Sequence, residues 1–447
     1  MQARGEWSSK IGFILAASGS AIGLGNIWRF PYIVGKNGGA AFVLIYLIIV
    51  VVIGLPYMLG ELAVGRAAQR NPVGAIEAIR PKSAWKGVGY LGVLTGLGIL
   101  SFYSVIAGWT VGYIFKMLSG NVSDFTAFIA SPLQVILLTA FFILLTAGIV
   151  YGGVSGGIER WSKILMPMLF VLMLGLIVYA NTLPGSSEGL KFYLMPDMSK
   201  IDGSVVLAAL GQAFFSLSLG MGLMITYGSY VTKSDDLFSS AGYIVLFDSL
   251  IALMAGLIIF PALFANHQSP EVGAKLVFVV LPQLFAKMPG GAVWGALFFL
   301  LLSVAALTST ISLLEVPVAF MVDEKKIPRK KVVWAVALVT FALGIPSALS
   351  QGANPFLTNF GVIPQRLADP DFLSQMSFVF GDFSLAFGAL LLSIFIGWVW
   401  GAKNAANEIK QGSRTFGALF SVWVFMMRYF IPLVIFVILL NLFGVFD

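Results

Sequence analysis

The chain contains no cysteine and a single histidine, His267, among 447 residues. Disulfides, thiolate nucleophiles and Cys-ligated metals are therefore excluded, and one imidazole is too few for a His-ligated metal centre. Charge is scarce as well. Asp, Glu, Lys and Arg make up 11% of the chain, against roughly 25% in soluble globular proteins. So few charges cannot cover a water-facing surface. A soluble enzyme, a disordered chain and a nucleic-acid binder are excluded on that ground, despite a formal net charge of +7. What fills the chain instead is apolar: 59% hydrophobic residues, with 49 Gly and 38 Phe, a composition suited to packed membrane helices.

Apolar stretches near the ~20 residues that cross a bilayer recur from end to end. Eleven are read: 11–35, 41–65, 88–116, 131–151, 157–181, 203–231, 239–265, 291–321, 332–349, 376–400 and 420–443. The first holds Asn26 and Arg29 and lacks a cleavage-like end, so it reads as a membrane helix rather than a signal peptide. Basic residues set the orientation. With the N-terminus inside, 18 of the 27 Lys and Arg fall on inner segments, from Arg4 and Lys10 through Lys325–Lys331 to Arg414. Eight fall outside, and Arg428 sits near the start of the last stretch. The expectation is an N-terminus in the cytoplasm and, after an odd number of crossings, Asp447 outside. The outer loops 182–202, 266–290 and 350–375 are long enough to cap an access path. No soluble domain is read, so residues 1–447 form one unit.

Two stretches carry interruptions. The first contains Ser18-Gly19-Ser20-Ala21-Ile22-Gly23-Leu24-Gly25-Asn26, and the sixth contains Phe215-Ser216-Leu217-Ser218-Leu219-Gly220-Met221-Gly222. Glycines and hydroxyls at mid-span lower helix propensity and free backbone groups. Close helix packing is the plain alternative, since Gly19 and Gly23 form a small-xxx-small pair. Polar residues at membrane depth, in stretches one and six of ten, favour a pair of broken helices, the mark of an inverted-repeat transporter. Half-helix N-termini then offer N–H groups to a carboxylate. The opposite ends and nearby hydroxyls offer oxygens to a hard monovalent cation such as sodium.

Ala17–Arg66 runs ASGSAIGLGNIWRFPYIVGKNGGAAFVLIYLIIVVVIGLPYMLGELAVGR. Its GLGNxWRFPY, NGGxAF and GxPxxxxE segments resemble the first two helices of the neurotransmitter:sodium symporter family. The likeness continues through Gly211–Tyr230 and Ala305–Asp323, nearly the whole chain, and eleven helices suggest a prokaryotic member. The resemblance implies an all-α integral membrane protein with 11 transmembrane helices. These would form a LeuT-type five-plus-five inverted repeat with helices 1 and 6 broken. Repeat one would cover about 11–181 and repeat two about 203–400, with an extra helix at 420–443.

The family pattern also implies a site. Sodium site one would use Ala21, Asn26, Ser216 and Asp248; site two would use Gly19, Ile22, Ala305, Thr308 and Ser309. Tyr103 matches the tyrosine that holds the substrate carboxylate. Ala21, Gly23, Gly25, Ile99, Tyr103, Phe215, Ser216, Ser218, Met221, Ser309 and Leu313 would bind substrate. Arg29 and Asp382 match an outer gate, and Arg4, Trp7 and Asp323 an inner one. Glu61, Gly157 and Pro167 would serve as hinge; taken alone, the Gly157–Pro167 stretch is equally an ordinary proline kink. A carboxylate at helix centre costs roughly 2.5–3.5 kcal/mol on insertion scales, so Glu61 and Asp248 read as functional even without the family. Arg29 and Arg4 alone read equally well as snorkelling residues.

Asp248 stands where most relatives carry Asn. Its charge would replace an anion, so transport is expected to be chloride-independent. Met221 is adaptable, and with Leu313 it suits a range of apolar side chains. The expected function is sodium-coupled import of hydrophobic L-amino acids by alternating access across the cell membrane. It would use two sodium ions, no organic cofactor, no nucleic acid and no obligatory protein partner. A proton-coupled amino-acid permease of the same fold is the alternative, and a channel would not need two opposed gates. His267 reads as a surface residue, and the basic run Lys325–Lys331 as a topology signal.

Overall fold

The computed structural model describes residues 5–122, 124–270, 276–413 and 415–446. Arg4, Arg414 and Asp447, used above for the gate and the orientation, lie outside the described residues. Among the described residues there is no strand.

Among the described residues, nine helices are each long and apolar enough to cross a bilayer. They are Ala40–Ala68, Lys86–Ser119, Pro132–Tyr151, Val154–Asn181, Leu237–Ala265, Gly291–Lys325, Arg329–Leu349, Phe372–Val399 and Phe416–Leu442. Another crossing comes in two pieces, Lys10–Ala21 and Gly25–Lys36, bent by 52°. The sixth in chain order is also divided, into Gly203–Ser216 and Leu223–Gly228. The eleven expected spans are therefore present, with breaks in the first and the sixth. Arg428 is not near the start of the last helix: that helix begins at Phe416, so Arg428 lies well inside it.

Local chemistry sets the span ends. Asp202, Asp236 and Asp371 each accept a bond from the backbone N–H three residues on, at 3.0, 3.1 and 3.0 Å, capping the sixth, seventh and tenth spans. Gly38 and Gly39, at φ +83° and +67°, make the sharp turn into the second span. Within the spans, Val154–Glu159, Phe395–Val399 and Met426–Phe430 are widened to π-type turns, a local swelling common near functional positions.

The third and eighth spans pack along each other, and both broken spans lie beside them. The fourth, fifth, ninth and eleventh spans expose large apolar side chains, among them Leu133, Val171, Leu338 and Leu433, as lipid-facing helices do. Polar groups are kept inside. Glu61, Arg66, Asp248 and Glu315 are all fully buried.

On the side of the N-terminus, Arg66 is held by one carboxylate. Its Nε donates to Glu408 Oε1 at 2.8 Å and its Nη1 to Asp235 O at 2.7 Å, while Nη2 reaches Glu408 O. Lys233 pairs with the same Glu408 oxygen at 2.8 Å. One acid thus ties the end of the second span, the loop after the sixth and the short helix Ala402–Lys410.

Candidate functional site

The first break leaves Ile22, Gly23 and Leu24 between the two helical pieces. In the sixth span, Leu217–Gly222 is unwound, with Ser218, Gly220 and Gly222 at φ +54°, +87° and +74°. A Cβ on Gly220 would lie 2.4 Å from Leu385 O, so nothing larger than glycine fits. Glu61 Oε1 accepts from the Gly220 N–H at 2.7 Å, which anchors the unwound strand to the second span.

Between the breaks lies a cavity of about 340 Å³. Ala21, Gly23, Gly25, Ile99, Tyr103, Phe215, Ser218, Met221, Ser309 and Leu313 all line it. Of the expected substrate residues only Ser216 does not. Its hydroxyl turns away and donates to Asp248 Oδ2 at 2.8 Å. The Leu24 N–H donates to Tyr103 Oη at 2.9 Å, so the tyrosine hydroxyl meets the start of the second half-helix. A Cβ on Gly23 would stand 2.7 Å from Tyr103 Oη and 2.5 Å from Ser309 Oγ. That end of the cavity is polar and narrow; Ile99, Phe102, Phe215 and Leu313 give an apolar stretch, and Arg29 and Asp382 also line the cavity.

Two groups of oxygens adjoin the cavity. In the first, Asn26 Nδ2 donates to Ser216 Oγ at 2.9 Å, Asp248 O at 3.2 Å and Asp248 Oδ1 at 2.7 Å. A single positively polarised group thus faces three oxygens, while Asn26 Oδ1 accepts from the Gly23 N–H at 3.1 Å. Tyr46 was not anticipated. Its hydroxyl lies 3.1 Å from Ser216 Oγ and 3.4 Å from Asp248 Oδ2.

In the second group, Thr308 Oγ1 donates to Ala305 O at 2.9 Å and Ser309 Oγ to Ile22 O at 3.0 Å. Gly19 packs against Thr308. The donor set is all oxygen and almost neutral. No cluster of three or more acidic or histidine side chains exists among the described residues. Such a set fits a hard monovalent cation better than a divalent or transition metal.

Above the cavity, Arg29 Nη2 stands 3.5 Å from Asp382 Oδ1. The same guanidinium lies 4.3 Å over the Phe215 ring, and Arg29, Asp382 and Phe215 all line the cavity at this end. On the opposite side, Trp7 Nε1 donates to Tyr227 O at 3.1 Å, and its ring packs against Phe13, Tyr227 and Tyr230. Asp323 accepts from the Asn71 N–H at 2.9 Å. The chain between Gly157 and Pro167 is helical, with the swollen turn Val154–Glu159 at its start and Pro167 inside the continuous helix Arg160–Asn181.

Sequence reasoning missed Tyr46 and Gln212, whose Nε2 donates to Gly25 O at 3.1 Å. A lone Gln in an apolar stretch was a usable signal for the second. Tyr46 had none, because an aromatic residue in an apolar run reads as lipid-facing or core.

Known proteins resemble nearly the whole of this chain. Residues 4–126 and 121–446 match the Sodium:neurotransmitter symporter family. An uncharacterized sodium-dependent transporter, YhdH, of Bacillus subtilis is 40% identical over 451 residues, covering 98% of each chain. An uncharacterized sodium-dependent transporter of Haemophilus influenzae is 35% identical, again over 98% of each. A crystal structure of MhsT in complex with L-phenylalanine superposes with a TM-score of 0.87 at 43% identity, covering 98% of this chain and 100% of that one. The inverted-repeat fold with its two broken helices is therefore the fold of this chain, and the proton-coupled alternative gives way to sodium dependence. The chain belongs to the sodium:neurotransmitter symporter family, and is a sodium-dependent membrane transporter rather than an enzyme.

Proposed function

We propose that the protein imports hydrophobic L-amino acids together with two sodium ions, independently of chloride. One observation carries the reading: a mostly apolar cavity closed at one end by backbone N–H groups, Tyr103 Oη and Ser309 Oγ. An amino acid would place its carboxylate at the start of the half-helix, near Gly23, Gly25 and Tyr103, where the helix dipole favours an anion. Its side chain would lie among Ile99, Phe215, Ser218, Met221 and Leu313. Likeness to a protein crystallised with L-phenylalanine supports that class of substrate.

The first sodium would sit with Ala21, Asn26, Ser216 and Asp248, beside the substrate carboxylate. The second would sit with Gly19, Ile22, Ala305, Thr308 and Ser309. Arg29 with Asp382 would close the outer side, and Arg4, Trp7 and Asp323 the cytoplasmic side. The loop charges favour an N-terminus in the cytoplasm of a cell whose plasma membrane holds one chain-long unit, residues 1–447. In that unit, built of repeats of about 11–181 and 203–400, the first, second, sixth and seventh spans would rock against the third, fourth, eighth and ninth, with Glu61, Gly157 and Pro167 as hinge. Two sodium ions moving with a neutral zwitterion gain about 4.6 kcal/mol per 100 mV.

Radiolabelled phenylalanine uptake into proteoliposomes tests this. Replacing external sodium by choline is expected to abolish uptake, and replacing chloride by gluconate to leave it unchanged. Uptake that collapses in gluconate would refute the role given to Asp248. Met221→Phe gives a second expectation. The larger floor would exclude tryptophan more than valine, lowering the tryptophan-to-valine uptake ratio by about tenfold or more. An unchanged ratio would remove Met221 from the specificity pocket.

A further inference from the structure

The swollen turns of the tenth and eleventh spans, Phe395–Val399 and Met426–Phe430, pack against each other. At this junction the Arg428 guanidinium lies 4.4 Å from the Trp398 ring and 5.6 Å from the Tyr429 ring. Trp398 Nε1 donates to the main-chain oxygen of Arg428 at 2.9 Å, which fixes the indole beside it. Both rings are half exposed, Trp398 at 52% and Tyr429 at 50%. They stand among other exposed apolar residues of the last span, including Val422, Phe425 and Leu433. The face is therefore one that lipid covers.

Arg428 has no carboxylate partner among the described residues. Its Nε is buried without any acceptor. An arginine on a lipid-facing helix without a counter-charge is unfavourable unless its head reaches the interface.

Depth can be read from the structure. Gly220, in the unwound part of the sixth span, meets Leu385 and Ala389 of the tenth, and such breaks lie near the bilayer midplane. From Ala389 to Trp398 the tenth span advances by about 13.5 Å at 1.5 Å per residue. Half of a ~30 Å hydrocarbon core is about 15 Å. Trp398 and Arg428 therefore sit at the edge of the hydrocarbon, on the side of the N-terminus. That is the depth of lipid phosphates and of the aromatic belt.

We propose that Arg428, Trp398 and Tyr429 form a binding site for the headgroup phosphate of an anionic phospholipid in this leaflet. The rings orient the planar guanidinium, and its free N–H groups take the phosphate oxygens as a fork. The half-buried cation supplies the charge that selects anionic over zwitterionic lipid. Lipid then packs the seam between the tenth and eleventh spans.

Native mass spectrometry of the full chain, purified from vesicles of phosphatidylcholine with about one-fifth phosphatidylglycerol, tests the site. Wild type is expected to retain one more phosphatidylglycerol than R428Q, with about fivefold tighter retention, equivalent to about 1 kcal/mol. R428K should fall between them, because an ammonium lacks the planar fork. R428Q keeps the Trp398 bond, which goes to the main chain of residue 428. As a readout that needs no variant, phosphatidylglycerol should raise the melting temperature of wild type above its value in pure phosphatidylcholine. Inorganic phosphate added to the sample should not displace the lipid. Equal retention by wild type and R428Q would overturn the proposal. So would displacement by inorganic phosphate, which would mark a site for the free ion, or a melting temperature indifferent to the lipid.

Discussion

Asp248→Asn is expected to lower apparent sodium affinity by about tenfold to a thousandfold in chloride-free buffer, and chloride is expected to restore part of it. Asp248 is fully buried and keeps company only with neutral groups: the Asn26 amide at 2.7 Å, the Ser216 hydroxyl at 2.8 Å and the Tyr46 hydroxyl at 3.4 Å. No fixed cation pairs with it among the described residues. A monovalent cation about 4 Å away would gain about 4 kcal/mol from such a charge at an effective dielectric near 20. Asparagine keeps the shape and hydrogen-bonding capacity but removes that term. The Ser216 and Tyr46 hydroxyls would then be free to donate to an anion, which is the ground for expecting chloride to help. Sodium-dependence curves with chloride and with gluconate read both effects. Identical curves for wild type and the Asn variant would show that this carboxylate does not serve the cation.

Glu408→Gln is the second large effect, and it falls on stability. Arg66 is fully buried, and its hydrogen-bond partners are the Glu408 carboxylate and the carbonyls of Asp235 and Glu408. Neutralising Glu408 leaves a buried guanidinium without its counter-ion, a change that costs about 3–5 kcal/mol. Lys233 is half exposed and can turn to solvent. Thermal unfolding in detergent is expected to shift clearly downward for E408Q. The paired replacement Arg66→Met with Glu408→Leu is expected to recover most of the loss, because no unpaired charge then remains. A normal melting curve for E408Q would show that the two backbone carbonyls suffice for Arg66.

The sequence revealed those parts of the site that local chemistry betrays. Glycines and hydroxyls at mid-span marked both breaks, since a helix pays there in propensity and in freed backbone groups. The charges Glu61 and Asp248 stood out because the surrounding stretches are apolar, whereas Arg29 and Asp382 were singled out only by the family resemblance. What stayed hidden depends on which remote groups meet. Nothing near Glu408 announces that it neutralises Arg66, 342 positions away. Ser216 was expected both at the substrate and with Asp248; its hydroxyl meets Asp248 and it does not line the cavity, a choice between neighbours that periodicity does not encode. Arg428 was misplaced for a simpler reason. The last helix starts at Phe416, in a segment whose glycine and Ser-Arg-Thr run reads as loop.

Phe215 serves two neighbours with one ring. Its inner side borders the cavity, and the Arg29 guanidinium rests 4.3 Å from its centroid. Cargo that tilts the ring must also disturb that contact, whose attraction is worth about 0.5–2 kcal/mol. By the same arithmetic, an ill-fitting amino acid loses roughly two- to thirtyfold in the fraction of molecules that seal behind it. If the pair does serve as the outer gate, discrimination at this ring would act on closure as well as on the cavity. One ring would then report the shape of the cargo to the ion pair beside it.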